Sequence, residues 1–408
     1  MACEREAADD HNRAKTHRLG TLLGEQMSKK IRGVVALGAL CGLSLFLVNC
    51  GSTVARSSGL LYVLSQGSND IQSYAINLTS GNLSLINANA KTDAMPSSII
   101  LDPTGTVAFV LNIGSNDITG YTINKDGSLS EASGNTATGP NAVAMARDAA
   151  GKFLFVVTQE PQLYVFSMQS GSTSLSLVSP TTLTRTPTGI AAIGGPNGTT
   201  LLYVTSNKDL SGSNDNTVSE YSVDASGAVT EKAGSPYATA SNPSAVVAVA
   251  TSPIGGAGGL FVYVTNVTTN SISLYQVCTV QNATCTQQNV ADLTMLPVGT
   301  PVNAGSSPAA MVVDPKNNFL YVASKISNQV FGFRINATQG TLNGLSPANL
   351  NTGLTPVALA MHSSGKFLFV SNSGSSNISS YTLDTTSGSM SSPITITSSA
   401  QPAGLVSK

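Results

Sequence analysis

Arg185, in Thr184-Arg185-Thr186-Pro187, and Glu160, in Gln159-Glu160-Pro161, have types suited to chemistry on an ester. A guanidinium can hold an anionic substrate, and a carboxylate can act as general base. Asp93, Lys208, Asp209, Asp215 and Lys325 are further candidates for binding a ligand. All lie in short polar loops, so the competing reading is that they are solvated loop charges. Beyond His11 and His17 the chain has one histidine, His362, in Met361-His362-Ser363-Ser364-Gly365. Asp102 and Asp314 stand at its place in comparable turns, so it reads as a turn residue. There is no C-x-x-C-H and no phosphate-binding Gly-rich loop leading into a helix; the Gly-rich residues 253–259 read as a flexible turn. No metal and no cofactor are expected.

Charge excludes one class of partner. Lys+Arg and Asp+Glu number 20 and 21, and no basic stripe is present to collect phosphate contacts, which argues against nucleic acid. With 41% hydrophobic and 10% charged residues the chain can bury a large core. Cys278 and Cys285 flank a six-residue loop. In an oxidising compartment they read as a disulfide, worth about 2–3 kcal/mol by loop closure.

The N-terminal region reads as an address. Lys29, Lys30 and Arg32 precede an uncharged, mostly apolar run over residues 33–48, which is short for a membrane span and right for a signal peptide. Leu47-Val48-Asn49-Cys50 resembles a bacterial lipobox, although Asn49 stands where that family prefers Gly or Ala. The resemblance implies lipidation at Cys50. Residues 1–26, before a second Met at Met27, read as an N-terminal extension, 27–49 as a lipoprotein signal peptide, and 50–59 as a tether of at most roughly 35 Å. The expected location is the cell envelope, in the periplasm or at the outer membrane.

Stepping along the rest of the chain, one apolar hexamer recurs seven times: LLYVLS (60–65), VAFVLN (107–112), FLFVVT (153–158), LLYVTS (201–206), FVYVTN (261–266), FLYVAS (319–324) and FLFVSN (367–372). Their Val, Phe and Tyr content fits strands buried on both faces. A second hexamer with alternating polarity follows each one, as a half-buried strand should. Each unit opens on a proline: Pro96, Pro140, Pro187, Pro243, Pro308, Pro356 and Pro402, spaced by about 51 residues. Four antiparallel strands per unit make a propeller blade. Residues 60–408 are therefore expected to form an all-β, seven-bladed β-propeller. The first unit lacks its opening strand and the chain ends on a spare one, so the C-terminal strand should complete the first blade.

Tyr263-Val264-Thr265-Asn266 is the signature of the YVTN β-propeller repeat family. The pattern of Asp102-Pro103-Thr104-Gly105 followed by the paired hexamers resembles the lactonase-type, 6-phosphogluconolactonase-like propellers. Over residues 60–408 this resemblance implies the fold, and it implies a lactonase acting through Arg and Glu near the central opening. Catalytic schemes in that family also lean on a His there, and His362 falls at the opposite face. The favoured reading is a non-catalytic envelope module binding a protein, peptide or carbohydrate as a monomer; the alternatives are a hydrolase of a sugar-lactone-like ester and a purely structural surface protein.

Overall fold

Each apolar hexamer forms the second strand of an antiparallel sheet, and all but the first are buried along their whole length, as in Val107–Asn112, Phe153–Thr158, Phe319–Ser324 and Phe367–Asn372. The computed structural model describes residues 59–86, 89–251, 258–278 and 293–408, and in them the chain is a seven-bladed β-propeller with almost no helix. The expected segments over residues 1–26 and 27–49, and Cys50 and Cys285, lie outside the described residues.

Strands run outward from the axis in chain order. The innermost are Pro96–Leu101, Ala142–Arg147, Arg185–Gly194, Pro243–Ala250, Pro308–Val313 and Pro356–Met361 in blades 2 to 7. In blade 1 the innermost strand is Pro402–Ser407, paired antiparallel with Gly59–Ser65. The chain end thus closes the ring at a seam, with Leu60 and Lys408 exchanging two backbone hydrogen bonds. Alternation of strand direction puts the linkers between blades and the turns between second and third strands on one rim, here the upper. Turns between first and second strands, and the seam where Gly59 begins and Lys408 ends, lie on the lower rim.

The core is not one mass but seven apolar clusters, one between each pair of neighbouring blades. Successive side chains of the second strand point to opposite neighbours. Leu61 and Val63 pack on Phe367 and Phe369 of blade 7, whereas Tyr62 and Leu64 pack on Ala108 and Val110 of blade 2. Three buried tyrosines also donate to a glycine carbonyl of the next blade: Tyr62 to Gly127 at 3.1 Å, Tyr263 to Gly340 at 2.9 Å and Tyr321 to Gly388 at 2.7 Å. Burial pushes these phenols well above their usual pKa, so they stay protonated donors.

A repeated clamp sets the upper rim. In six of the seven blade junctions, a side-chain oxygen from one blade's turn accepts the backbone N–H of the residue just before the next blade's first strand. The pairs are Asn69 with Met95, Asn116 with Asn141, Asn216 with Asn242, Asn270 with Ser307, Asn328 with Thr355, and Ser376 with Gln401. The clamped residues all have positive φ, between 54° and 60°. Such a conformation costs a non-glycine residue about 1–3 kcal/mol and persists where its surroundings hold it. This corrects one sequence reading: Pro140 is not the start of its blade. Asn141 takes the clamped place, and Ala142 opens the strand where other blades have proline.

Candidate functional site

The seventh junction, between blades 3 and 4, departs from the clamp. Pro161 stands in the turn, and its carbonyl accepts from Leu183 N at 2.8 Å. The first strand of blade 4 begins early, at Arg185, because it pairs with a hairpin longer than its counterparts: Arg185 opposes Asp209 and Thr186 opposes Lys208. That hairpin, Thr200–Asp209 with Asn214–Val223, rises above the rim with Leu210 exposed near its tip. The departure from sevenfold regularity is where Arg185, Glu160, Lys208, Asp209 and Asp215 gather.

Arg185 is engaged on two sides. Its Nε donates to Asp215 Oδ2 at 2.6 Å, and its Nη1 donates to Thr184 Oγ1 at 2.8 Å. The two charged side chains are 23% and 30% exposed, so the pair is partly shielded but open to solutes. A guanidinium carries five N–H donors, and its fork geometry suits carboxylate, phosphate or a carbonyl oxygen gaining charge. Glu160 is exposed in the neighbouring turn, and its backbone carbonyl accepts from Thr158 Oγ1. Among the described residues no hydrogen bond or ion pair joins Glu160 to Arg185.

The other sequence candidates divide by what already occupies them. Asp209 holds the hairpin turn, its Oδ1 accepting from Ser211 N and Ser213 N at 2.9 Å and from Ser211 Oγ at 2.6 Å. The Ser211 hydroxyl bond chiefly holds its carboxyl below the usual range. Asp93 accepts from Thr119 Oγ1 at 3.3 Å and from Asn135 Nδ2, so it ties the blade 1–2 linker to blade 2. Lys208 and Lys325 are exposed, Lys325 in the corresponding turn of blade 6. His362 is buried on the lower rim, where its Nδ1 accepts from Ser364 N at 3.2 Å, and burial lowers its pKa. Among the described residues no group of three or more His, Cys, Asp or Glu could hold a metal ion. Sequence reasoning did not pair Arg185 with Asp215; the only signal was the unusual length between the two hexamers of that blade.

The same upper rim carries exposed apolar side chains, among them Met95, Leu210, Ile326 and Leu354.

Solved structures similar to this chain share the ring. A provisionally assigned 6-phosphogluconolactonase from Bacteroides fragilis superposes with a TM-score of 0.68 at 16% identity, over 87% of this chain and 99% of that one. The Pseudomonas aeruginosa periplasmic gluconolactonase does so with a TM-score of 0.67 at 18% identity, over 86% and 98%. A protein from Lactobacillus plantarum gives 0.67 at 17% identity, over 86% and 99%. No curated protein matches the chain. The family model described as lactonase, 7-bladed beta-propeller, matches residues 51–147 and 250–403. Those stretches make up more than half of the chain, and they leave out residues 148–249, where Glu160, Arg185, Lys208, Asp209 and Asp215 stand. By that match the chain belongs to the lactonase family of seven-bladed β-propellers.

Proposed function

We propose that the upper rim hydrolyses a sugar-lactone-like ester at the junction of blades 3 and 4. The observation that carries this reading is the Arg185–Asp215 pair, set where the ring abandons its repeated clamp. Family membership supports the reaction class. The particular lactone is a matter of residues 148–249, which lie outside the family match. In the reaction, water adds to the lactone carbonyl carbon and the ring C–O bond breaks, giving a hydroxy acid. Arg185 stabilises the charge developing on the carbonyl oxygen, with Asp215 and Thr184 fixing its orientation. Glu160 takes the proton from water and returns it to the departing alkoxide.

The test is acid release by the full-length protein over a panel of sugar lactones at neutral pH, with spontaneous hydrolysis subtracted. Arg185→Ala and Glu160→Ala should each lower kcat/KM by about 100-fold or more, with unchanged melting temperatures. Full activity in both variants would sink the assignment of these residues. No activity above background across the panel would sink the hydrolase. The exposed Met95, Leu210, Ile326 and Leu354 on the same rim favour a second reading, a monomeric envelope module that docks a protein, peptide or carbohydrate partner there.

The proposal places the protein in the cell envelope, lipid-anchored through Cys50 and braced by a Cys278–Cys285 disulfide. Cys278 is fully buried at the end of Ser271–Val277. Cys50→Ala should move the protein from the membrane to the soluble fraction and abolish metabolic labelling by palmitate. Membrane retention with unchanged labelling would exclude that anchor.

A further inference from the structure

On the lower rim, far from Arg185, the seam creates a cleft. In blades 2, 3, 6 and 7 a tight turn joins the first and second strands, built around Asp102, Asp148, Asp314 and His362. In blade 1 the first and second strands are Pro402–Ser407 and Gly59–Ser65, which no such turn joins among the described residues. Beside them lies a cleft of about 470 Å³, lined by the blade 2 turn, Arg147 of blade 3, Ser363 of blade 7 and Val406, Ser407 and Lys408 of blade 1.

Its walls have two characters. Leu101 and Val406, both packed against the cluster between blades 1 and 2, give it a partly exposed aliphatic side. Arg147 and Lys408 give it two cations. Among the described residues only Nη1 of Arg147 has hydrogen-bond partners, the carbonyls of Asp148 at 2.9 Å and Ala149 at 3.4 Å. Lys408 Nζ donates once, to Gly105 O at 2.7 Å. The carboxylates nearby are already used. Asp102 accepts from Thr106 N and Val107 N at 2.8 Å, besides Thr104, and Asp148 accepts from Phe153 N at 2.7 Å. The Lys408 backbone oxygen accepts from Leu60 N at 2.9 Å. Ser407 Oγ is shut off from solvent and has no hydrogen-bond partner among the described residues.

We propose that this seam cleft binds a small organic carboxylate with a hydrocarbon portion. The carboxylate lies between the Arg147 guanidinium and the Lys408 ammonium, and the hydrocarbon lies along Leu101 and Val406. Cations with spare donors select the anionic head, and the aliphatic wall favours a chain over a bare inorganic ion. The site is independent of the hydrolase reading and shares no residue with it.

The test titrates the full-length protein with sodium octanoate, read by calorimetry and by ligand-observed NMR, with 1-octanol and sodium acetate as comparisons. Octanoate should bind with a Kd of about 1 mM or tighter, and octanol and acetate at least about tenfold more weakly. Arg147→Leu combined with Lys408→Met should weaken octanoate at least about tenfold. Arg185→Ala should change nothing. Arg147 also braces its own turn, so Lys408→Met alone carries the test if the double variant does not fold, with an expected loss of about threefold or more. Absence of octanoate binding, equal binding of octanol, indifference to Lys408→Met, or loss of binding in Arg185→Ala would each overturn the proposal.

Discussion

Removal of residues 400–408 leaves a protein without a cooperative melting transition. Those residues supply the innermost strand of blade 1, and Leu61, Tyr62, Val63 and Ser65 pair with it. Leu405 is 7% exposed in the cluster between blades 7 and 1, and burial of such a side chain contributes about 2–3 kcal/mol. Ala403 and Val406 pack on the cluster between blades 1 and 2. Gly404 fits so closely against Ser97 and Ser98 that a Cβ there would lie 2.6 Å from the Ser97 carbonyl oxygen. Two of the seven interfaces therefore fail together, and Gly59–Ser65 is left as an open edge. The summed loss approaches the whole stability of an ordinary domain, about 5–15 kcal/mol. Thermal melts followed by near-UV circular dichroism decide the matter. A truncated chain with the wild-type melting temperature would show that the seam does not hold the ring.

Asp102→Ala lowers stability by about 2–4 kcal/mol, large for one exposed-looking turn residue. Asp102 is 2% exposed, and its carboxylate accepts from the N–H groups of Thr104, Thr106 and Val107, and at 3.4 Å from Gly171 of blade 3. Alanine leaves the buried Val107 N–H without that acceptor, whereas Asp102→Asn keeps one oxygen and loses less. Burial alone would raise the carboxyl pKa, but the bonds from Thr104, Val107, Thr106 and Gly171 outweigh it, so the folded pKa lies below the usual value. A depressed carboxyl pKa contributes stability that is present above the unfolded pKa of about 3.9 and is lost as pH falls through the folded one. Urea titrations of wild type should therefore show a stability loss below about pH 4 that Asp102→Ala lacks. His362 does the same work in blade 7 with an imidazole, which must be neutral to accept from Ser364 N. Burial depresses its pKa, so its contribution is present above about pH 6.5 and is lost as pH falls. His362→Asp should flatten stability between about pH 7 and 5. A midpoint for Asp102→Ala equal to wild type would mean that water replaces the lost acceptor.

The ring was legible in the sequence because a weak signal was repeated. One hexamer such as residues 107–112 is ambiguous; seven with a paired alternating hexamer require a closed array, and the unmatched Pro402 required the seam. Register was less legible. Pro140 matches the other prolines by type, but the clamp selects a left-handed residue followed by an extended one, which Asn141 and Ala142 provide. Among the site candidates, Arg185 and Glu160 stand in neighbouring loops, but the partner of Arg185 lies thirty residues on, across a hairpin whose register length alone does not reveal. Asp209 and Asp93 look reactive in a string of letters, and short carboxylates in tight loops are often spent on nearby donors, as here. The lower cleft left no mark at all, since its walls come from four separate blades.

Gly59 and Lys408 leave the ring side by side on the lower rim. The rim that carries the seam is therefore not the rim that carries Arg185 and the exposed apolar side chains, so a substitution at one face of the ring leaves the chemistry of the other face untouched.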